Sequence, residues 1–219
     1  MKLLLTSAGL TNQKIANALL ELAELPANKI KICFVPTAAN LELGDKEWLI
    51  DNLIAFKNQG YKSIDILDIV ATPRENWLKR FQDANVICFG GGNENYLAKV
   101  LQDTGVAEAL PELLKSRIYM GISAGSMVAG TFAEVKTINE LIYPEEAWPR
   151  LTDKTLELIN INFLPHLNSE YFKSARKENI KNATGFTAPV YALDDQSALK
   201  IVDGKIEIVG NGKSFVITK

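Results

Sequence analysis

The chain has 219 residues, and its 24 basic and 26 acidic side chains leave a formal net charge of −2. So even a balance excludes the basic patches on which nucleic-acid binding rests, and 47% hydrophobic with 23% charged residues excludes a disordered composition. No apolar run exceeds four residues, as in Ile32-Cys33-Phe34-Val35, whereas a membrane span needs about 20.

The apolar part of the start, Met1-Lys2-Leu3-Leu4-Leu5-Thr6, is too short for a secretory signal, so a cytoplasmic protein without membrane contact is expected. From there the predicted elements alternate in type. Short β-rich runs lie at 2–7, 29–37, 63–69, 85–91 and 117–123. Helical spacing separates them. Ile15, Leu19 and Leu22 share one face, and so do Leu49, Leu53 and Phe56 in a helix closed by Gly60. Trp77, Leu78 and Phe81 give a shorter helix opened by Pro73. The helical stretch 94–116 is broken at Thr104-Gly105 and bent or restarted near Pro111. The stretch 132–153 has no period and reads as a loop or insertion. Four short strands, at 191–193, 198–202, 205–209 and 214–218, close the chain. Asp203-Gly204 and Asn211-Gly212 between them favour hairpins.

Alternating strands and helices predict a mostly parallel α/β sheet flanked by helices on both faces, joined by right-handed crossovers. The tail predicts a C-terminal antiparallel meander. With no repeat or linker, residues 1–219 read as one domain. Cys33 and Cys88 sit in separate apolar runs and read as reduced core residues. With His166 as the single histidine, no metal site is expected.

The sharpest motif is Gly121-Ile122-Ser123-Ala124-Gly125, between a strand pattern and a small helical run. That is the context of a Gly-x-Ser-x-Gly nucleophile elbow. The turn must project the Ser123 hydroxyl from strained backbone, and the glycines let neighbouring chain come close. The Ala124 N–H then faces a developing oxyanion from a helix N-terminus. Leu5-Thr6-Ser7-Ala8-Gly9 lacks the first glycine and reads as an ordinary strand-to-helix turn. Gly90-Gly91-Gly92-Asn93 offers bare N–H groups of Gly91 or Gly92 as a second oxyanion donor, with Asn93 as helix cap. His166 is the one base open to a Ser–His mechanism. The acid that would orient it is open: Glu140, Glu134, Glu145, Glu146, Asp194 and Asp195 all qualify by position. Besides a peptidase, these motifs suit an α/β esterase, or a non-catalytic small-molecule binding module on the same scaffold.

At these residues the chain resembles the aspartyl dipeptidase (dipeptidase E) family of serine peptidases, relatives of the cyanophycinases. The likeness runs from Lys2-Leu3-Leu4-Leu5-Thr6-Ser7 and Cys33-Phe34-Val35-Pro36-Thr37-Ala38 through Gly90-Gly91-Gly92-Asn93, Thr104-Gly105 and the elbow to Pro165-His166. The resemblance implies a fold similar to class I glutamine amidotransferases, flavodoxin-like, with serine in place of their cysteine. It implies a cofactor-free cytosolic hydrolase of very short peptides, including dipeptides with N-terminal Asp. Thr137-Ile138-Asn139-Glu140 looks like the family's Thr-x-Asn-Asp stretch, which would make Glu140 the acid. Asn93 is expected beside the substrate. Aspartyl selectivity needs a positive group near the substrate carboxylate, and Lys136 and Arg176 lie near matching segments. The family's Asn before Pro-His is Leu164 here.

Overall fold

The strands follow from the apolar runs. A computed structural model describes residues 1–146 and 148–218. β1 (Lys2–Thr6), β2 (Lys31–Val35), β3 (Ser63–Ile66), β4 (Val86–Phe89) and β5 (Ile118–Ile122) pair in parallel in the order β3-β2-β4-β5-β1. Alternate residues enter opposite cores. Leu3, Leu5, Cys33, Val35, Ile87 and Phe89 pack on one face, and Leu4, Ile32, Phe34, Val86 and Cys88 on the other. A strand buried on both faces has no polar alternation, hence its unbroken apolar sequence. Each such fully buried side chain contributes roughly 1.5–3 kcal/mol. Cys33 and Cys88 are free and buried, on opposite faces. Burial, aided by the charge of Asp65, pushes the Cys33 thiol up to about 12.

Helices cover both faces. α1 (Gln13–Ala23) starts where the Asn12 side chain accepts the Ile15 N–H, and it buries Ile15, Leu19 and Leu22. α2 (Glu47–Asn58) fully buries only Phe56, and Leu49 and Leu53 are half-covered. α3 (Arg74–Asp83) buries Trp77 and Phe81. The stretch expected to break at Thr104-Gly105 is α4 (Glu94–Asp103) and α5 (Val106–Leu113), with Pro111 inside the second. The irregular 132–153 stretch holds a π-helix, Thr137–Ile142, and a 3-10 turn, Pro144–Glu146.

The antiparallel tail is present, but it is divided between two sheets. β6 (Asn162–Leu164) and β7 (Val190–Leu193) pair in parallel, and β10 (Ser214–Ile217) adds to β7 antiparallel, making a three-stranded sheet. β8 (Ser197–Val202) and β9 (Lys205–Gly210), a hairpin turned at Asp203-Gly204, extend the main sheet beside β1. Only the three residues between β7 and β8 carry the chain from one sheet to the other. β7 must match β6, where Leu164 faces Ala192, while β8 must match β1, where Thr6 faces Ala198. Both registers deliver the same turn to the carboxyl ends of the parallel strands, the edge where open α/β sheets hold their ligands.

Candidate active site

Ser123 follows β5 directly and has φ 48 and ψ −108, left-handed backbone in a residue with a side chain. Such strain costs of order 1–3 kcal/mol and persists only where neighbours fix it. Here Ser123 N–H donates to the Thr6 carbonyl at 3.0 Å and Gly125 N–H to the Gly90 carbonyl at 3.2 Å. The Thr6 hydroxyl donates to the Gly121 carbonyl at 2.8 Å, and the Tyr119 hydroxyl to the Gly125 carbonyl at 2.6 Å. The elbow glycines answer to packing. A Cβ on Gly121 would stand 2.6 Å from the Gly125 oxygen, and one on Gly125 2.0 Å from the Phe89 oxygen. After the elbow begins α6 (Ala124–Met127), whose first N–H groups have no intrahelical acceptor. Among the described residues, the N–H groups of Gly91, Gly92 and Ala124 donate to no carbonyl.

His166 follows β6 through Pro165. Its Nε2 lies 2.9 Å from Ser123 Oγ, and its Nδ1 lies 2.6 Å from Asp195 Oδ1. An ionised carboxylate only accepts, so the Nδ1–H donates to Asp195 and leaves Nε2 to accept the Ser123 hydroxyl. Phe172 stacks on the imidazole, with ring centroids 4.7 Å apart and 21° between planes. The ring is held at both nitrogens and on one face. Burial pushes the Asp195 carboxyl up, but hydrogen bonds from His166 and Ser7 and the histidine charge outweigh it, so the group sits below the ordinary aspartate value.

Ser7, in the turn read as ordinary, belongs to this network. Its hydroxyl donates to Asp195 Oδ1 at 2.9 Å and accepts the His166 backbone N–H at 2.7 Å. A faint signal existed in sequence, since Ser7-Ala8-Gly9 repeats the Ser-Ala-Gly of the elbow. Nothing in sequence marks Phe172, or Trp48 of α2, which also borders the site.

Other expected residues lie elsewhere. Glu140 is exposed on the π-helix, and the imidazole carries Asp195 instead. That helix is tied to the chain after α7 (Lys177–Asn182) by the Thr137 hydroxyl on the Thr184 carbonyl, and Tyr143 beyond it reaches the histidine loop, donating to the Pro165 carbonyl at 2.7 Å. Asp194 accepts from Gln196 N and Ser197 Oγ at 3.0 and 2.9 Å and so builds the turn. Glu145 accepts the Lys173 N–H at 3.1 Å, Glu134 is exposed beside Gly185, and the Glu146 side chain is outside the described set. Asn93 caps α4, accepting the Tyr96 N–H at 2.7 Å, and is 2% exposed, away from the cavity lining. Arg176 spends its guanidinium on the carbonyls of Phe172, Ala175 and Ser169. Lys136 is exposed and outside the lining. The cavity itself, about 770 Å³, is lined by Ser123, His166, Gly91, Trp48, Tyr171 and Phe172 among others.

A serine on a kinked strand end, facing an imidazole on an α/β sheet, defines a hydrolase of the serine type. The family model for peptidase family S51 matches residues 3–209, and the chain belongs to that family of peptidases. An uncharacterized peptidase of Pasteurella multocida (strain Pm70) is 29% identical over 186 residues, covering 83% of this chain and 86% of the relative. Peptidase E of Haemophilus influenzae (strain ATCC 51907 / DSM 11121 / KW20 / Rd) is 30% identical over 145 residues, 62% of this chain and 63% of that protein. Among solved structures, a candidate peptidase E from Listeria monocytogenes EGD-e superposes with a TM-score of 0.78 at 21% identity, covering 96% of this chain and 98% of the other. A peptidase from an acI-B1 Actinobacterium gives 0.71 at 24%, covering 99% and 90%. Both share the mostly parallel sheet flanked by helices.

Proposed function

We propose that this serine peptidase hydrolyses very short peptides, dipeptides foremost, through Ser123, His166 and Asp195. Ser123 Oγ attacks the scissile carbonyl carbon while its proton passes to His166 Nε2. The tetrahedral oxyanion takes hydrogen bonds from the N–H groups of Ala124 and of Gly91 or Gly92. The C–N bond then breaks, His166 gives its proton to the leaving amine, and an acyl-enzyme remains. Water, deprotonated by His166, releases the acid and restores Ser123. Asp195 holds the productive tautomer throughout and stabilises the imidazolium. All these steps are performed by side chains and backbone of the protein itself.

The observation that carries this reading is the unbroken line Ser123–His166–Asp195 at 2.9 and 2.6 Å. A cavity of about 770 Å³ supports a short substrate, being within the range of small-molecule sites. A cytoplasmic setting is part of the reading and rests on the two unpaired thiols. Among the described residues no helix is long and apolar enough to cross a membrane.

The test is Ser123→Ala on a dipeptide panel, with fluorophosphonate labelling of the unaltered protein. Turnover is expected to fall by about 10³-fold or more, and labelling is expected to require both Ser123 and His166. Equal turnover by the alanine variant would refute the reading.

A further inference from the structure

The cavity over Ser123 holds carboxylates and no cationic side chain. Glu42, Asp45 and Asp51 line it besides Asp195, and among the described residues no Lys or Arg does. Asp195 is engaged with His166 and Ser7. The other three lie in and just before α2, the element that brings Trp48 to the nucleophile. Gly91 lies between the two, since a Cβ built on it would be in ordinary van der Waals contact with Trp48 Cζ3 at 3.4 Å and Ser123 Cβ at 3.5 Å.

One cation acts on these carboxylates from within: burial pushes the Glu42 carboxyl up, and the charge of Lys46 offsets part of that. The Asp51 side chain is exposed and, among the described residues, has no hydrogen-bond or ion-pair partner. Asp45 accepts only the Glu47 N–H, at 3.1 Å. Glu42 Oε1 is buried without a hydrogen-bond partner, an acceptor left wanting a donor. Lys46 gives its Nζ to the Glu42 carbonyl at 2.9 Å and does not line the cavity. The two cations that could have met a substrate carboxylate are absent from the wall. Arg176 clamps three carbonyls of the loop after His166, and Lys136 is exposed elsewhere.

We infer that the pocket selects peptides whose residue on the amino side of the scissile bond is Lys or Arg, and disfavours aspartate there, with Glu42 and Asp51 as the specificity-determining residues. An ammonium or guanidinium entering beside Trp48 meets unpaired acceptors. A second carboxylate in the same space meets like charge with no cationic side chain on the wall. Every dipeptide also brings its own terminal ammonium, so the selective element is the side chain, compared at a constant terminus. The inference deepens the peptidase reading and rests on it for the position of the scissile bond.

The experiment uses Lys-Leu, Arg-Leu, norleucyl-Leu and Asp-Leu in two measurements. Binding is measured on Ser123→Ala by calorimetry, and kcat/KM on the unaltered enzyme. Lys-Leu and Arg-Leu are expected to bind about tenfold tighter than norleucyl-Leu and about 30-fold tighter than Asp-Leu at low salt, with the margin narrowing at about 0.5 M salt. Glu42→Gln with Asp51→Asn is expected to bring the Lys-Leu to norleucyl-Leu ratio near one. Asp51→Asn alone, at an exposed site, is expected to move it partway, so the outcome does not hang on the folding of the double variant. Equal or preferred binding of Asp-Leu, or a ratio untouched by both variants, overturns the inference even if turnover is brisk. The reverse pattern, with the binding order kept and no peptide cleaved, would sink the peptidase reading and leave the cation selectivity standing.

Discussion

Two adjacent aspartates follow β7, and only the second reaches the imidazole. Asp194 is consumed by the turn, through Gln196 N, Ser197 Oγ and Lys213 N, while Asp195 faces His166 and Ser7. Asp195→Asn keeps the shape and loses the tautomer control. It is expected to lower kcat roughly 10³–10⁴-fold, while Glu140→Gln stays within about threefold; steady-state kinetics on one dipeptide decides between them. In the proposed mechanism Ser7 acts as a positioning residue, since its hydroxyl binds both the carboxylate and the His166 backbone. A hydrogen bond to a charged group is worth about 1.5–3 kcal/mol, so Ser7→Ala is expected to lower kcat about 10–100-fold with KM little changed. Ser7→Thr, which keeps the hydroxyl, should recover most of it. A loss confined to KM would assign Ser7 a different role. The Ser123–His166 pair was legible because the elbow is a local pattern and the histidine is unique. The carboxylate that meets the imidazole was not, because Asp195 lies 29 residues from His166 in the chain and many acids share its chemistry. The Thr137–Glu140 stretch carried a plausible pattern, and its Glu140 is exposed on the π-helix.

At the scale of elements, the parallel strands were readable for a physical reason. Strands covered on both faces leave runs such as 32–35 and 86–89 that nothing polar interrupts. The division of the tail was not readable, since a period of two says which face a residue takes and nothing of which sheet receives the strand. The elbow shows how tightly one element binds the next. Gly125 packs its backbone against β4, 2.0 Å from the Phe89 oxygen for any added Cβ, and backbone cannot yield as a side chain can. Gly125→Ala is therefore expected to cost about 3 kcal/mol or more, lowering Tm by about 6–12 °C in a chain of this size. Calorimetry with an unshifted Tm would show that β4 and the elbow separate more freely than described.

For the whole molecule, the depressed Asp195 carboxyl couples folding to acidity. Its folded value lies below that of an unfolded aspartate, about 3.9. Its contribution is therefore present above that value and is lost as pH falls through the folded one. The Asp195 side chain is 41% exposed, so solvent and salt keep the effect small. The Tm difference between the unaltered protein and Asp195→Asn is expected to be positive at pH 7 and to close on acidification below about pH 4. A gap that widens with acid would contradict the assigned direction.

The three residues joining β7 to β8 have a further consequence. They are the seam between two sheets, and the seam carries Asp195, with His166 beyond a strand of the small sheet and Ser7 and Ser123 beyond strands of the large one. The hydrogen-bonded line Ser123–His166–Asp195 thus spans two separately hydrogen-bonded sheets. A slip of one ladder against the other by a single ångström would part acid from base while leaving each ladder whole. Under the proposed mechanism turnover is a gauge of alignment between sheets, and it should fail before either of them melts.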